Sequence, residues 1–316
     1  MSRNHGLYAA LFTVALLVQA LPNAADAAVP NGNITALRAA ITNAAPGGTI
    51  VLAANGTYTL DGTALVIDKQ ITINGRGATI DGNDASGVIN VISTGNLTLR
   101  DVIITGGSAP DGGGIYNYGT VTLKDKSSVS GNKAEYGGGI YNYGTVTLRD
   151  KSSVSGNTAQ YGGGILNTNG TVTLKDTSSV SGNTAHVGGG ISNVQVGTVT
   201  LKDTSSVSNN TADNGGGIFN YRGMGNYGDC TVTLSDKSSV SGNTADGYGG
   251  GIYNDEYATV TLKDKSSVSG NTAEIGGGGI FNTSTVTLKD KSSVTNNTAG
   301  NGGGIYNGGT LNNANA

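Results

Sequence analysis

The sequence repeats itself with a period of about 25 residues from Gly112 onward. The stretch "GGGI" occurs eight times, and each of its isoleucines is followed two residues later by an asparagine. The stretch "TVTL" occurs seven times, and a valine always lies nine residues after its first threonine. Nearly all variation in length falls between the isoleucine and the next "TVTL", with the longest insertion at 221–230. A constant register with one variable connection is typical of a solenoid.

Each repeat contains three short segments of β-strand character. In "TVTL", Val121 and Leu123 share one face while Thr120 and Thr122 share the other. Strands this short form no globular sheet alone, so each must pair in parallel with its copy in the next coil, about 4.8 Å away. Parallel crossovers are overwhelmingly right-handed. The sequence therefore predicts an all-β fold, a right-handed parallel β-helix with three sheets and one coil per repeat.

Specific positions are predicted to stack from coil to coil. The apolar positions should point inward, and in the first regular repeat they are Ile115, Val121, Leu123 and Val129. We expect Asn117 and Asn132 at turns, where asparagine tolerates left-handed dihedrals and its amide can bond to the copy in the next coil.

The first residues differ from the repeats. Residues 1–27 combine Arg3, an apolar run over 7–21 and a small-x-small site at 25–27, which predicts a cleaved secretion signal. Residues 28–48 are predicted to hold a cap helix, with Leu37 and Ile41 on its apolar face and a stop at 46–48. Residues 49–111 should form irregular coils, and 112–316 the regular ones, within a single domain.

Charge and cysteine content exclude several classes of protein. The net charge is −3 and no basic cluster is evident along the sequence, so we expect no nucleic-acid partner. The only cysteine, Cys230, cannot close an internal disulfide. No segment after residue 27 is uniformly apolar, so no transmembrane span is expected in the mature chain.

The glycine triplets are open to two interpretations. Glycine-rich loops cradle phosphates when a helix follows them and a lysine assists. No triplet here precedes a helical pattern, so we predict a turn with positive φ, repeated in every coil.

No candidate catalytic residue, metal ligand or cofactor emerges from the sequence. His186 stands alone at a turn position, and an aspartate closes every "VTLK"-type strand in a uniform row that suits turn chemistry. An enzyme would normally break its repeat at the active site. We therefore expect a non-catalytic chain, and an active site would be sought at 61–111 or 221–230.

Two outward rows are candidate binding surfaces. The first follows each "GGGI" and contains Tyr116, Tyr141, Phe219, Tyr253, Phe281 and Tyr306. Its rings could stack on sugars, or on one another between coils. The second is the Thr-x-Thr pair of each "TVTL", beginning with Thr120, Thr122, Thr145 and Thr147. A flat double threonine array is the kind of surface that ice-binding solenoids present, although threonine is also simply a good strand former.

A third row consists of cations beside the aspartates: Lys124, Arg149, Lys175, Lys202, Lys263 and Lys289. Like charges about 4.8 Å apart repel by roughly 1 kcal/mol in water. We interpret this row as a solvated edge that prevents unwanted association, with binding of acidic glycans as the alternative.

These motifs resemble known repeats. "GGGI" resembles the GGA(I/L/V) motif of polymorphic outer membrane protein repeats, and "VSGN" at 129–132 is similar to their FxxN motif with valine in place of phenylalanine. The stretch "LRAAITNAAPGGTIVLAANGTYTL" resembles the opening of secreted right-handed β-helix proteins of the pectate-lyase-like superfamily. Together the resemblances span about residues 34–310. They imply export or surface display, often with adhesion, while the catalytic groupings of pectate lyases are not matched.

The leading hypothesis is a secreted or cell-surface structural β-helix of the adhesion type, which binds carbohydrate along an outer sheet. Its partner would be an extracellular polysaccharide or the surface of a host or neighbouring cell. The first alternative is a pectate-lyase-like carbohydrate-active enzyme. The second is an ice-binding solenoid.

Overall fold

The chain is a parallel β-solenoid of about ten turns, preceded by one short helix. The computed structural model describes residues 28–223 and 228–314. The predicted secretion signal at 1–27 lies outside the described residues, as do 224–227 of the long insertion. The predicted all-β solenoid fold with its N-terminal helix is confirmed.

The helix Ile34–Asn43 covers the beginning of the solenoid. The side-chain oxygen of Asn33 caps it by accepting the N–H of Ala36 at 2.8 Å. Leu37 and Ile41 are buried, as the helical pattern predicts, and join the same apolar core as the first coils.

Three parallel sheets run along the solenoid. Two long strands, Gln70–Asp81 and Asn96–Thr105, turn the corner between the first two sheets and so belong to both. The remaining strands of sheet 1 are Gly48–Val51, Thr120–Lys124, Thr145–Leu148, Thr171–Leu174, Thr198–Leu201, Cys230–Leu234, Ala258–Leu262, Thr285–Leu288 and Thr310–Asn313. Those of sheet 2 are Thr57–Thr59, Ser128–Ser130, Ser153–Ser155, Ser179–Ser181, Ser206–Ser208, Ser239–Ser241, Ser267–Ser269 and Ser293–Thr295.

Sheet 3 carries the isoleucine and asparagine of each "GGGIxN" stretch. Its strands are Leu65–Ile67, Ile89–Val91, Ile115–Asn117, Ile140–Asn142, Ile165–Thr168, Ile191–Val194, Ile218–Tyr221, Ile252–Asp255, Ile280–Asn282 and Ile305–Asn307. A fourth, narrow ladder, which the sequence did not lead us to expect, joins sheets 2 and 3. Its strands are Ser108–Asp111, Lys133–Tyr136, Thr211–Ala212, Thr244–Ala245 and Thr272–Ala273, and isolated bridges such as Lys133–Thr158 continue it.

The core consists of apolar columns in strict register. Val146 pairs with Val121 and Leu148 with Leu123. The inward prediction is confirmed, because Ile115 and Val129, like Val121 and Leu123, have no exposed surface. Each coil thereby removes four large apolar side chains from water, at about 1.5–3 kcal/mol each.

The asparagine rows are buried ladders, but the predicted left-handed turn is wrong. Asn117 ends a strand of sheet 3, and its amide Nδ2 donates to Oδ1 of Asn142 at 2.7 Å. The left-handed corner residues are instead Asp125 (φ 59°) and Gly131 (φ 68°). An extended backbone lets the amide point along the solenoid axis, where it meets the amide of the next coil.

Candidate functional site

The glycine triplets form a corner of the solenoid. Gly112 has φ 61°, which confirms the predicted turn. The N–H groups of Gly113 and Gly114 donate to the carbonyl oxygens of Gly137 and Gly138 in the next coil, both at 3.2 Å. The donors that a phosphate-binding loop would present are therefore already used between coils.

The aromatic row on the outer face of sheet 3 is interrupted in the middle. Leu166 and Ser192 occupy its third and fourth positions and are only 4% and 1% exposed. The predicted row thus divides into two groups, one at Tyr116 and Tyr141 and the other from Phe219 onward.

The second group is a stack of rings that face one another. Successive centroids from Phe219 through Tyr253 and Phe281 to Tyr306 lie 4.8, 5.0 and 5.1 Å apart, with interplanar angles of 16°, 21° and 10°. Such a stack turns ring edges outward and uses ring faces between coils.

The first group is larger than predicted. We call it the tyrosine cluster, and it comprises Tyr116, Tyr118, Tyr136, Tyr141, Tyr143 and Tyr161. The hydroxyls of Tyr116 and Tyr118 are 2.6 Å apart, and those of Tyr141 and Tyr143 are 2.5 Å apart. The paired hydroxyls repeat from one coil to the next.

Ring contacts hold the tyrosine cluster together. Tyr118 stacks on Tyr143 at 4.9 Å and 3°, and Tyr136 stacks on Tyr161 at 5.4 Å and 7°. Tyr116 meets Tyr118 edge-on at 5.0 Å. Tyr118 and Tyr161 nevertheless remain 46% and 40% exposed, so the cluster offers aromatic surface to solvent.

Electrostatics raise the pKa of three phenols of the tyrosine cluster. Burial raises the pKa of Tyr116 and of Tyr141, and the hydrogen bonds to their tyrosine partners raise it further. A hydrogen bond to the Glu135 carboxylate raises the pKa of Tyr136. The negative charge of Asp111 acts in the same direction on all three. These three phenols therefore stay neutral, with carboxylates at the rim of the cluster.

The sequence contained a signal for the missed tyrosines. "IYNYG" occurs at 115–119 and again at 140–144, so a second tyrosine follows the first at the same offset. Tyr136 and Tyr161 each stand directly before a glycine triplet. How closely Tyr136 and Tyr161 come to the other rings depends on the angle at the corner of the solenoid. The alternation of residues along the strands does not determine that angle.

The threonine pairs of sheet 1 form two continuous columns. Thr145 pairs with Thr120 and Thr147 with Thr122, and the pairing continues in register to Thr285. These side chains are half-buried or exposed, whereas the intervening valines are buried. The candidate positions of the sequence therefore lie together on one outer face.

Cations gather at the corner between sheets 1 and 2, and we call this corner the basic ridge. Its cations are Lys124, Lys126, Arg149, Lys151, Lys175, Lys202, Lys237, Lys263, Lys265, Lys289 and Lys291. With its seven aspartates the ridge carries a charge of +4 on a chain of −3, so the rest of the chain carries −7. Six of these cations are the row predicted from the sequence, and Lys126, Lys151, Lys237, Lys265 and Lys291 extend it on the other side of the aspartates.

The aspartates of the basic ridge support the predicted turn chemistry. Asp125 and Asp150 have φ 59° and 57°. The N–H of Asp125 donates to Oδ2 of Asp150 at 3.2 Å, and the N–H of Asp150 donates to Oδ2 of Asp176 at 3.0 Å. The carboxylates from Asp150 onward thus bond to the backbone of the neighbouring coil, while that of Asp125 pairs with Arg100 at 2.9 Å.

The remaining reactive side chains are isolated. His186 is exposed and its Nδ1 lies 2.9 Å from Oδ2 of Asp213. Burial raises the pKa of the Cys230 thiol to about 11. Within residues 28–223 and 228–314, no three His, Cys, Asp or Glu side chains are grouped to hold a metal ion. Over the same ranges no helix has the length and hydropathy of a membrane span.

One repeat of the chain matches the profile of a known protein family. The profile of the Chlamydia polymorphic membrane protein (Chlamydia_PMP) repeat matches residues 237–255, a segment that runs from the basic ridge through a glycine triplet into sheet 3. Neither curated proteins nor solved structures give a match. The chain is a β-solenoid repeat protein with coils that resemble polymorphic membrane protein repeats, a combination that indicates a surface-associated protein.

Proposed function

We propose that this chain is a secreted or cell-surface, non-catalytic β-solenoid that mediates adhesion by binding carbohydrate at the tyrosine cluster. The observation that carries the proposal is the grouping of six tyrosines on adjoining coils, with paired hydroxyls and exposed rings. The repeat match supports surface association.

Tyrosine suits sugar recognition because it offers an apolar ring and a polar tip together. The C–H face of a pyranose packs on an exposed ring such as Tyr118 or Tyr161. The hydroxyls of the sugar then exchange hydrogen bonds with the phenol groups of the cluster. Asp111 and Glu135, both exposed at the rim, add acceptors for sugar hydroxyl groups.

The second aromatic group is a weaker candidate for the same role. Its rings cover one another's faces, which leaves mainly the Tyr306 end, 42% exposed, for a ligand. We therefore assign the principal contact to the tyrosine cluster and treat Phe219, Tyr253, Phe281 and Tyr306 as a scaffold stack.

A glycan array followed by calorimetry on the best ligand tests the proposal. We expect binding, and we expect the Tyr118→Ala/Tyr143→Ala variant to weaken it at least tenfold. The matched control is Phe281→Ala/Tyr306→Ala, which removes two stacked rings elsewhere in the row and should retain affinity. Absence of any glycan ligand would contradict the proposal, and loss confined to the control variant would remove the tyrosine cluster from it.

The non-catalytic part of the proposal has its own test. The protein is incubated with a panel of polysaccharides, with and without calcium. We expect no release of products. Reducing ends or unsaturated products would establish the alternative of a pectate-lyase-like enzyme.

One observation favours ice binding as a second candidate. The two threonine columns stay in register over seven successive strands, which produces a regular hydroxyl and methyl array on one face of sheet 1. Thermal hysteresis of the wild type that disappears in Thr147→Lys/Thr200→Lys would support this function. A freezing point equal to the melting point would eliminate it.

A further inference from the structure

We propose that the basic ridge is a docking edge for an anionic membrane surface, along which the solenoid lies lengthwise. The inference rests on the surface association in the proposed function, but not on the tyrosine cluster. It names the chemistry of the surface, which is a lipid layer with negatively charged headgroups.

The ammonium groups of the basic ridge are available to a partner. Lys126, Lys151 and Lys237 are exposed, and the four lysines from Lys263 to Lys291 are exposed as well. Within the described residues, no lysine of the ridge has a carboxylate oxygen within 4.0 Å, and only Arg149 forms an ion pair, with Asp150 at 3.3 Å. The carboxylate of Asp125 is paired with Arg100 at 2.9 Å, and those of the other six aspartates accept backbone N–H groups of the neighbouring coil.

The charges are arranged in two columns, one interrupted at Ser235 and the other at Thr177 and Thr204. The N–H of Lys151 donates to the carbonyl of Asp125 at 2.9 Å, and the N–H of Lys265 donates to that of Asp236 at 2.8 Å, so the corners stack in register. From Lys124 to Lys291 the ridge spans seven coils, or about 29 Å at the spacing of parallel strands. Repulsion between stacked lysines is relieved when anions approach.

The shape of the basic ridge favours a plane over a chain-like ligand. The ridge is the corner at which the chain turns from sheet 1 into sheet 2, with left-handed residues such as Asp125 and Asp264 at the turn. Proteins that bind single-stranded nucleic acids combine a basic groove with aromatic platforms, and no aromatic residue lies in the corners of the ridge, such as 124–126 and 263–265. A corner that runs along the solenoid contacts a flat surface along its whole length.

The predominance of lysine among the ridge cations agrees with electrostatic attraction to anionic lipid headgroups. Arginine serves bidentate recognition of defined partners, while lysine is a flexible point charge. Ten of the eleven ridge cations are lysine. A contact made of such charges, without apolar anchors, is peripheral and is released by salt.

Vesicle cosedimentation of the mature full chain tests the inference. Phosphatidylcholine vesicles are compared with phosphatidylcholine–phosphatidylglycerol vesicles at low and high salt. We expect partitioning only into the anionic vesicles, and release at high salt. Each lysine in contact should contribute roughly fivefold to the partition coefficient.

Two variants with the same net charge test whether vesicle binding depends on the position of the lysines or only on the net charge of the protein. The first variant replaces five ridge lysines and should lower the partition coefficient more than tenfold. Its substitutions are Lys237→Gln, Lys263→Gln, Lys265→Gln, Lys289→Gln and Lys291→Gln. The control changes net charge equally on the narrow ladder, through Thr158→Glu, Thr184→Glu, Thr211→Glu, Thr244→Glu and Thr272→Glu, all at exposed positions. Circular dichroism checks that both variants fold, and the control should retain most of the binding.

Several results would overturn the inference. These are no partitioning of the wild type, equal loss in both variants, or tighter binding to heparin or duplex DNA than to anionic vesicles. The Tyr118→Ala/Tyr143→Ala variant should bind vesicles like the wild type. A failure of glycan binding is therefore distinguishable from a failure of membrane docking.

Discussion

Nδ2 of Asn132 donates to Oδ1 of Asn157 in the next coil at 3.0 Å, and the same oxygen accepts the backbone N–H of Asn132 at 3.0 Å. Both side chains are buried, with at most 1% of their surface exposed. Nδ2 of Asn157 then donates to the carbonyl of Val129 and to Oδ1 of Asn183. One amide thus satisfies polar groups of two neighbouring coils, so the polar ladder fixes the register of the apolar columns.

Asn157→Ala should lower the free energy of unfolding by about 2–4 kcal/mol. It takes the Oδ1 acceptor away from the buried backbone N–H and Nδ2 groups of Asn132, and each unsatisfied buried group costs about 1–3 kcal/mol. Urea unfolding followed by circular dichroism measures the change. The control is Thr158→Ala at the exposed neighbouring position, expected within about 0.5 kcal/mol of wild type. Equal stabilities of the two variants would show that the ladder is not a stabilising element.

Two glycines of one coil should respond differently to substitution. A Cβ on Gly139 would lie 2.6 Å from the carbonyl oxygen of Gly164, so Gly139→Ala should cost about 3 kcal/mol or more. Gly156 has φ 63° and nothing within 4 Å of an added Cβ, so Gly156→Ala should cost only about 1–2 kcal/mol of backbone strain.

Gly156→Asn provides the internal control for the glycine pair. Asn209 and Asn296 occupy the same corner position in other coils, both at φ 55°. Asparagine should therefore be better tolerated than alanine at 156, as thermal unfolding can establish. The reverse order, or a Gly139→Ala variant as stable as wild type, would contradict the packing argument.

The repeat allowed most of the fold to be predicted, because period-2 alternation within each repeat determines which residues face inward. Val121 and Leu123 were predicted as buried on that basis, and they are. The narrow ladder through Thr158 was not foreseen, because one or two residues per coil give no periodicity to detect.

The candidate site was only partly predictable. Tyr116 and Tyr141 were identified from their place in the row, but Tyr118 and Tyr143 approach them across a turn. Contacts of that kind depend on the corner geometry and on rotamers. The row of cations before the aspartates was predicted from the repeat, but the lysines after the aspartates, Lys126, Lys151, Lys237, Lys265 and Lys291, were not included in it.

The tyrosines should make the protein sensitive to alkali. Burial raises the pKa of Tyr116, Tyr141 and Tyr253, with further contributions from their hydrogen-bonded neighbours. Above about pH 10 the unfolded chain loses phenol protons that the folded chain retains. The folded state then binds more protons than the unfolded state, so the free energy of unfolding should fall as the pH rises above about 10. Below that pH these tyrosines should have almost no effect on the free energy of unfolding.

Ultraviolet titration and urea unfolding at several alkaline pH values measure this effect. A subset of tyrosines should titrate later than the rest in the folded protein and together with the rest in urea. The Tyr141→Phe/Tyr253→Phe variant should lose less stability than wild type above about pH 10. A single titration step near the ordinary phenol value in the folded protein would refute the prediction.

Cys230 should be inert in the folded protein and replaceable by alanine. Its thiol donates to the carbonyl of Gln195 at 2.7 Å, its surface is fully buried, and burial raises its pKa to about 11, so little thiolate exists at neutral pH. Labelling by a thiol reagent should therefore be slow, and it should accelerate when urea unfolds the chain. Ala258 takes the paired position in the next coil, so Cys230→Ala should cost only about 1 kcal/mol. Rapid labelling of the folded protein, or a much larger loss of stability, would mean that the connection before this strand opens and that the sheet 1 register is weaker there.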